Sequence, residues 1–210
     1  MNGNKQPLRY STVAMTLHWL IATLILLDFA LAISFAYFDP GDRLYFTWAY
    51  DAHMNVGMWV LVACMLRLGW RLLHRVPALP QEMGRMTRVL AKMTHVILYF
   101  FMMAVPVTGW IVLSVRKKPP PLYGDVYWPA FMGFDKLSHE LRGVLHQIML
   151  PSHIWLSYVA LSFVAAHVLA ALYHHYYRRD DVLRRMLPWT RLRHAGHERP
   201  QSPIPPEVQS

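Results

Sequence analysis

The chain has 210 residues, 55% of them hydrophobic and 16% charged, with a formal net charge of +9. Its apolar residues gather into four long blocks, and four such blocks in so short a chain leave too little polar surface for a soluble helical protein. The basic excess reads as a topogenic and lipid-facing feature and not as a nucleic-acid site. A single cysteine, Cys64, excludes an internal disulfide.

The blocks cover residues 13–38, 53–73, 94–115 and 148–177, and each reaches the ~20 residues that a spanning helix needs. The first is longer than a signal-peptide core, carries His18 and Asp28, and lacks a small-x-small cleavage site, so it is expected to be a span and not a leader. Pro40-Gly41 turns the chain, with Tyr45, Trp48 and Tyr50 as interface anchors. The second block holds Arg67 and Arg71 near its end, followed by a loop with Pro77, Pro80 and a short basic stretch at 84–92. After the third block, Pro119-Pro120-Pro121 opens a long loop. In it Phe134, Leu137, Leu141, Val144, Leu145 and Ile148 recur at helical spacing and predict an amphipathic helix lying on the outer surface. Pro188 ends any continuation of the fourth helix, and the Pro-rich tail beyond residue 199 is expected to be disordered. The expected organisation is a cytoplasmic N-terminal segment at 1–12, a four-helix membrane domain at 13–177, and a basic, Pro-rich cytoplasmic tail at 178–210.

Fifteen Lys and Arg residues fall on the side that holds both termini and six on the other, so the positive-inside rule places both termini in the cytoplasm. That orientation sorts the histidines by depth. His53 and His153 stand at the outer level, His18 and His167 at the inner. His153 and His167 are fourteen residues apart, which returns to within ~40° of one helix face with a rise of ~21 Å. Ionisable side chains at membrane depth are a functional hypothesis by default. Two imidazoles from different helices at each of two depths suit two stacked haems, each six-coordinate and closed to oxygen. With no C-x-x-C-H string, any haem is held non-covalently.

His95, at the inner start of the third block, is an alternative to His18 as ligand. Arg67 and Arg71 either snorkel to headgroups or turn inward to pair with haem propionates, which a guanidinium fork fits. His174, two turns beyond His167, is either a satisfied interfacial histidine or part of a site. His74, His194 and His197 read as solvated, and His139 and His146 as surface residues.

Several strings together carry a resemblance to a known family over roughly residues 8–190: Leu17-His18-Trp19; His53; His95-Val-Ile-Leu-Tyr99 with Pro106-Val-Thr-Gly109; the spacing of His153 and His167; and Tyr173-His174-His175-Tyr-Tyr with Asp180-Asp181-Val-Leu-Arg-Arg-Met-Leu-Pro188. The chain resembles the bacterial cytochrome b561 family. The resemblance implies an all-α, integral membrane four-helix bundle, two b-type haems ligated by His18, His53, His153 and His167, and electron exchange with ubiquinone. It leaves three functions to weigh: a superoxide oxidase-like oxidoreductase feeding ubiquinone, a cytochrome b electron-transfer subunit docking a periplasmic partner, and a membrane protein without redox work. On the first, Arg116, Lys117 and Lys118 form a basic funnel for a small anion. His95 and His174 are the candidates to hydrogen-bond or protonate the quinone.

Overall fold

Ser11 starts the first helix, its hydroxyl accepting from the Ala14 amide at 3.3 Å and its carbonyl from the Met15 amide at 3.0 Å. In the computed structural model, which describes residues 9–37, 42–77, 84–117, 121–123, 126–190 and 192, four long helices follow: α1 (Thr12–Tyr37), α2 (Arg43–Leu73), α3 (Arg85–Val115) and α4 (His139–Tyr173). Asp42 caps α2 by accepting from the Tyr45 amide at 3.0 Å, and Ser138 caps α4 by accepting from the Leu141 amide at 3.3 Å. All four helices are long and apolar enough to cross a membrane. Their outward faces expose Leu26, Leu66, Val96, Phe100, Trp155 and Leu169, a burden that water would not tolerate and lipid does.

The helices overrun the apolar blocks. At 31 residues, α2 and α3 each extend ~46 Å, and the 35 residues of α4 reach ~52 Å, against a ~30 Å hydrocarbon core. The basic stretch at 84–92 is thus the first turns of α3 and not a loop, and Tyr45, Trp48 and Tyr50 lie in the first turns of α2. The amphipathic stretch at 134–148 is not a separate helix on the surface. A short 3-10 turn (Phe131–Lys136) is followed at His139 by the uninterrupted α4. Nothing between Ser138 and Pro151 breaks a helix. Pro151 itself lacks only one amide, and the Ser152 hydroxyl donates to the Ile148 carbonyl at 2.7 Å beside it.

The close packings are α1 on α2, α3 on α4, and α2 on α3. The centre of the first three is filled by Ile21, Val60, Ala63 and the fully buried Cys64, with Met102 and Met103 of α3 against them. At the far end, away from the termini, a small hairpin of β1 (Pro121–Tyr123) and β2 (Val126–Tyr127) caps the bundle. It is tied down by Trp110 Nε1 donating to the Pro129 carbonyl at 2.8 Å, the Phe131 amide donating to Ser114 Oγ at 2.8 Å, and Trp128 Nε1 donating to Asn55 Oδ1 at 3.2 Å.

At the terminal end α4 runs into a π-helical turn (His174–Arg178), and Arg179 takes a left-handed conformation, φ 53°. The chain then folds back beneath α1. Trp19 Nε1 donates to the Met186 carbonyl at 2.8 Å, and Arg9 donates to the carbonyls of Arg184 and Leu187. Asp181 is buried within this fold-back. The tail beyond residue 192 and the segment before residue 9 lie outside the described residues.

Candidate functional site

Two pairs of imidazoles face one another across the bundle. His53 of α2 and His153 of α4 have ring centroids 6.2 Å apart, and His18 of α1 and His167 of α4 have theirs 6.4 Å apart. A third ring joins the second level: His95 of α3 lies 5.7 Å from His167. The facing pairs bridge α1 with α4 and α2 with α4, which are not among the closely packed helix pairs. Side chains therefore meet where the backbones stay apart.

The far-level pair is held by a defined outer layer. His53 Nδ1 lies 2.9 Å from Asp28 Oδ1 and 3.4 Å from the Asp28 carbonyl oxygen. His153 Nδ1 donates to the Val105 carbonyl at 3.0 Å and lies 3.2 Å from Thr108 Oγ1. A carbonyl oxygen only accepts, so the proton of His153 sits on Nδ1 and the Nε2 lone pair is left free. That is the tautomer in which a histidine binds metal through Nε2. The backbone of α3 makes room for the ring. A Cβ at Gly109 would stand 3.0 Å from His153 Cε1 and 3.3 Å from its Nδ1. Gly57, likewise, sits where a Cβ would meet Asp28 Oδ2 at 3.6 Å.

At the terminal level His95 Nδ1 donates to the Ala91 carbonyl of its own helix at 2.6 Å. Arg67 donates to the Ala14 carbonyl of α1 at 2.8 Å and stands within electrostatic reach of His18, His95 and His167. The Arg71 guanidinium lies 5.3 Å from the centroid of the Tyr99 ring, a cation–π contact. Tyr10 joins this group. Burial raises its phenol above the ordinary value, with Arg71 and Arg67 opposing that rise. His174 Nδ1 lies 2.5 Å from Asp180 Oδ2, and the Asp180 amide donates to the His174 carbonyl at 3.2 Å.

The structure thus brings together His18, His53, His95, His153 and His167, and places Arg67 and Arg71 at the terminal level. Lys117 is exposed at the end of α3 in a left-handed conformation, φ 52°, and lines a cavity of about 260 Å³ with Trp110, Trp128 and Asp135. Lys118 lies outside the described residues. Sequence reasoning missed the partners of the histidines. Asp28 had a signal, being the one charge in an apolar block, and Gly109 stood in a quoted string without a role. Val105 acts through its backbone, which no residue identity announces. Asp180 was visible only as part of a motif.

Comparison with known proteins now bears on this arrangement. A family model for prokaryotic cytochrome b561 matches residues 9–189. The chain belongs to that family. It is 26% identical to cytochrome b561 homolog 2 of Escherichia coli (strain K12) over 190 residues, covering 89% of this chain and 95% of that protein. It is 27% identical to the probable superoxide oxidase CybB of Yersinia pestis over 180 residues, covering 86% and 96%. It is 25% identical to cytochrome b561 homolog 1 of Escherichia coli (strain K12) over 185 residues, covering 86% and 97%. Membership makes this chain a bacterial membrane cytochrome of the b type, an integral four-helix bundle of a haem-binding, electron-transferring family.

Proposed function

We propose that this cytochrome b561 family member is a di-haem oxidoreductase that carries electrons from a donor at the far end of the bundle to ubiquinone at the terminal end. One observation carries the reading: two facing imidazole pairs at two depths, with one member of each on α4, fourteen residues apart. Two imidazoles holding one metal between them, at roughly 2.0–2.1 Å from each nitrogen, would have ring centroids about 6.3–6.5 Å apart. The His53–His153 and His18–His167 separations of 6.2 and 6.4 Å meet that requirement, and the His95–His167 separation of 5.7 Å falls short of it. The residues present therefore fit the group, with His53 and His153 as one ligand pair and His18 and His167 as the other. When bound, a bis-imidazole b-type haem supplies one-electron transfer without an open coordination position.

The remaining residues position and protonate. Asp28 orients His53, and the Val105 carbonyl does the same for His153. Arg67 and Arg71 each keep further N–H donors beyond their present contacts, suited to a carboxylate at the terminal level. His95 is left free of ligation and, with His174, serves the quinone. Asp180 beside His174 holds that ring and connects it to the solvent side. The charge asymmetry sets the terminal end in the cytoplasm and the far end in the periplasm of the inner membrane. Superoxide is the donor favoured here, because the Yersinia pestis relative is named a probable superoxide oxidase and because the exposed Lys117 adds positive charge at the far end.

Absorbance spectra of the oxidised and dithionite-reduced protein, with stopped-flow mixing against superoxide, test the reading. Split b-type bands and haem reduction faster than that of a soluble control haem are expected. Absence of the bands ends the di-haem reading. Bands without a superoxide response, together with a co-purifying periplasmic protein, turn it into an electron-transfer subunit.

A further inference from the structure

The far end of α3 and the first turns of α4 enclose an open cleft of about 320 Å³, lined by Val115, Arg116, His139, Arg142, Gly143 and His146. Residues 139, 142, 143 and 146 form one stripe of α4, being three, four and seven positions apart. The lining offers two guanidiniums and two imidazoles and no carboxylate, Glu140 belonging to the adjacent face of the helix. Arg142 is fixed against the wall, Nε donating to the Leu137 carbonyl at 3.2 Å and Nη1 to the Val115 carbonyl at 3.1 Å. Arg116 is steadied by its Nη1 on the Tyr50 hydroxyl at 3.4 Å. At Gly143 a Cβ would meet nothing within 4 Å, so the missing side chain leaves the cleft open.

We propose that this cleft binds a phosphate-bearing anion through Arg116 and Arg142. Guanidinium forks match the oxygens of phosphate, two bonds to each. The volume of about 320 Å³ equals roughly ten waters at ~30 Å³ each, much more than a diatomic anion fills. Depth agrees with the assignment. If the two histidine levels on α4 straddle the bilayer centre evenly, residues 146 to 139 stand ~21 to 31 Å from it. Headgroups end at roughly 20–22 Å. A headgroup phosphate reaches the lower edge of the cleft from the lipid, and a free phosphate group reaches it from water. The proposal depends on neither the haem assignment nor the electron donor.

The full-length protein, delipidated in a maltoside detergent, is titrated by calorimetry with inorganic phosphate and, separately, with short-chain phosphatidylglycerol below its micelle concentration. Saturable binding of at least one probe is expected, weakened about tenfold or more by Arg116→Gln and abolished by Gly143→Leu, which fills the cleft from a helical position where leucine is favourable. Binding of inorganic phosphate identifies a water-borne ligand, and binding of the lipid alone identifies a headgroup. No saturable binding of either probe to the wild type overturns the proposal, as does equal binding by the Gly143→Leu protein.

Discussion

In the far-level pair each ring has its own support, Asp28 for His53 and the Val105 carbonyl for His153, and that is where the cytochrome is most exposed to single substitutions. Under the proposed ligation, replacing His153 with Ala removes one ligand of the far level only, so pyridine haemochrome analysis should find one haem retained. His18→Ala should retain the other haem, and the two products should differ in spectrum. Two haems in the His153→Ala protein would refute the pairing. Asp28 acts one atom further out. Under the proposed ligation its carboxylate, 2.9 Å from His53 Nδ1, would make the ring a stronger donor and favour the oxidised iron. Asp28→Asn should therefore raise the midpoint potential of one haem and leave the other in place, as read by spectroelectrochemical titration. Gly109→Val should be harsher. Its first added carbon meets His153 at 3.0 Å, and overpacking of this kind costs about 1–3 kcal/mol. Loss of the far-level haem alone is the expected result of that stoichiometry assay. At this scale the histidines were legible from sequence because imidazole at membrane depth is rare and costly. Their supports were not, since a backbone carbonyl and an absent side chain leave no chemical mark in a sequence.

Among the elements, the four spans could be read directly because hydrocarbon demands a run of apolar residues of fixed length. Helix ends could not be read the same way. Hydropathy stops at the lipid boundary, while α2, α3 and α4 continue into polar surroundings on residues such as Arg85, Lys92 and Glu140 that form helix readily in water. The amphipathic pattern at 134–148 was therefore assigned to a surface helix when most of it is the first turns of α4. The fold-back at residues 180–190 was the larger surprise. It is fixed by carbonyls, three of them accepting from Arg9 and Trp19, and such bonds show no pattern in side chains. Hydrogen bonds from a charged donor contribute about 1.5–3 kcal/mol, so Arg9→Ala should loosen this segment. Limited trypsinolysis should then cut at Arg184 or Arg185 several-fold faster than in the wild type, with both haems unchanged. Equal cleavage would mean that Arg9 does not hold the segment.

For the whole molecule, the membrane separates two chemistries that the chain must connect. The far end gathers Arg116, Lys117 and Arg142 around a cap of Trp110, Trp128 and Phe131, and the terminal end gathers Arg67, Arg71, Tyr10 and Tyr99. If the donor is a small anion, its approach is steered by that exposed far-end charge, which salt screens over about 8–10 Å at physiological strength. Haem reduction by superoxide should slow as ionic strength rises, and Lys117→Glu should slow it further at low salt while quinone reduction stays unchanged. Salt-independent reduction with an unaffected Lys117→Glu rate would leave that lysine a topology signal. The family, the bundle and the paired histidines follow from sequence because each is written in residue type and spacing. The donor is not, because a small anion needs only a field, and many arrangements of basic residues produce one.

Helix α4 supplies an imidazole to both levels, while α1 and α2 supply one each. Under the proposed ligation it works as a common shaft. A slide of α4 along its axis, or a turn about it, would move a ligand of each level in the same sense at the same moment, whereas α2 carries a ligand of one level only and α1 joins His18 of one level to Asp28 at the other. Lipid thickness, tilt or a load on the far-end turns of α4 would thus reach the two centres in concert. Independent adjustment is left to single side chains such as Trp19 and Asp28, each beside one imidazole.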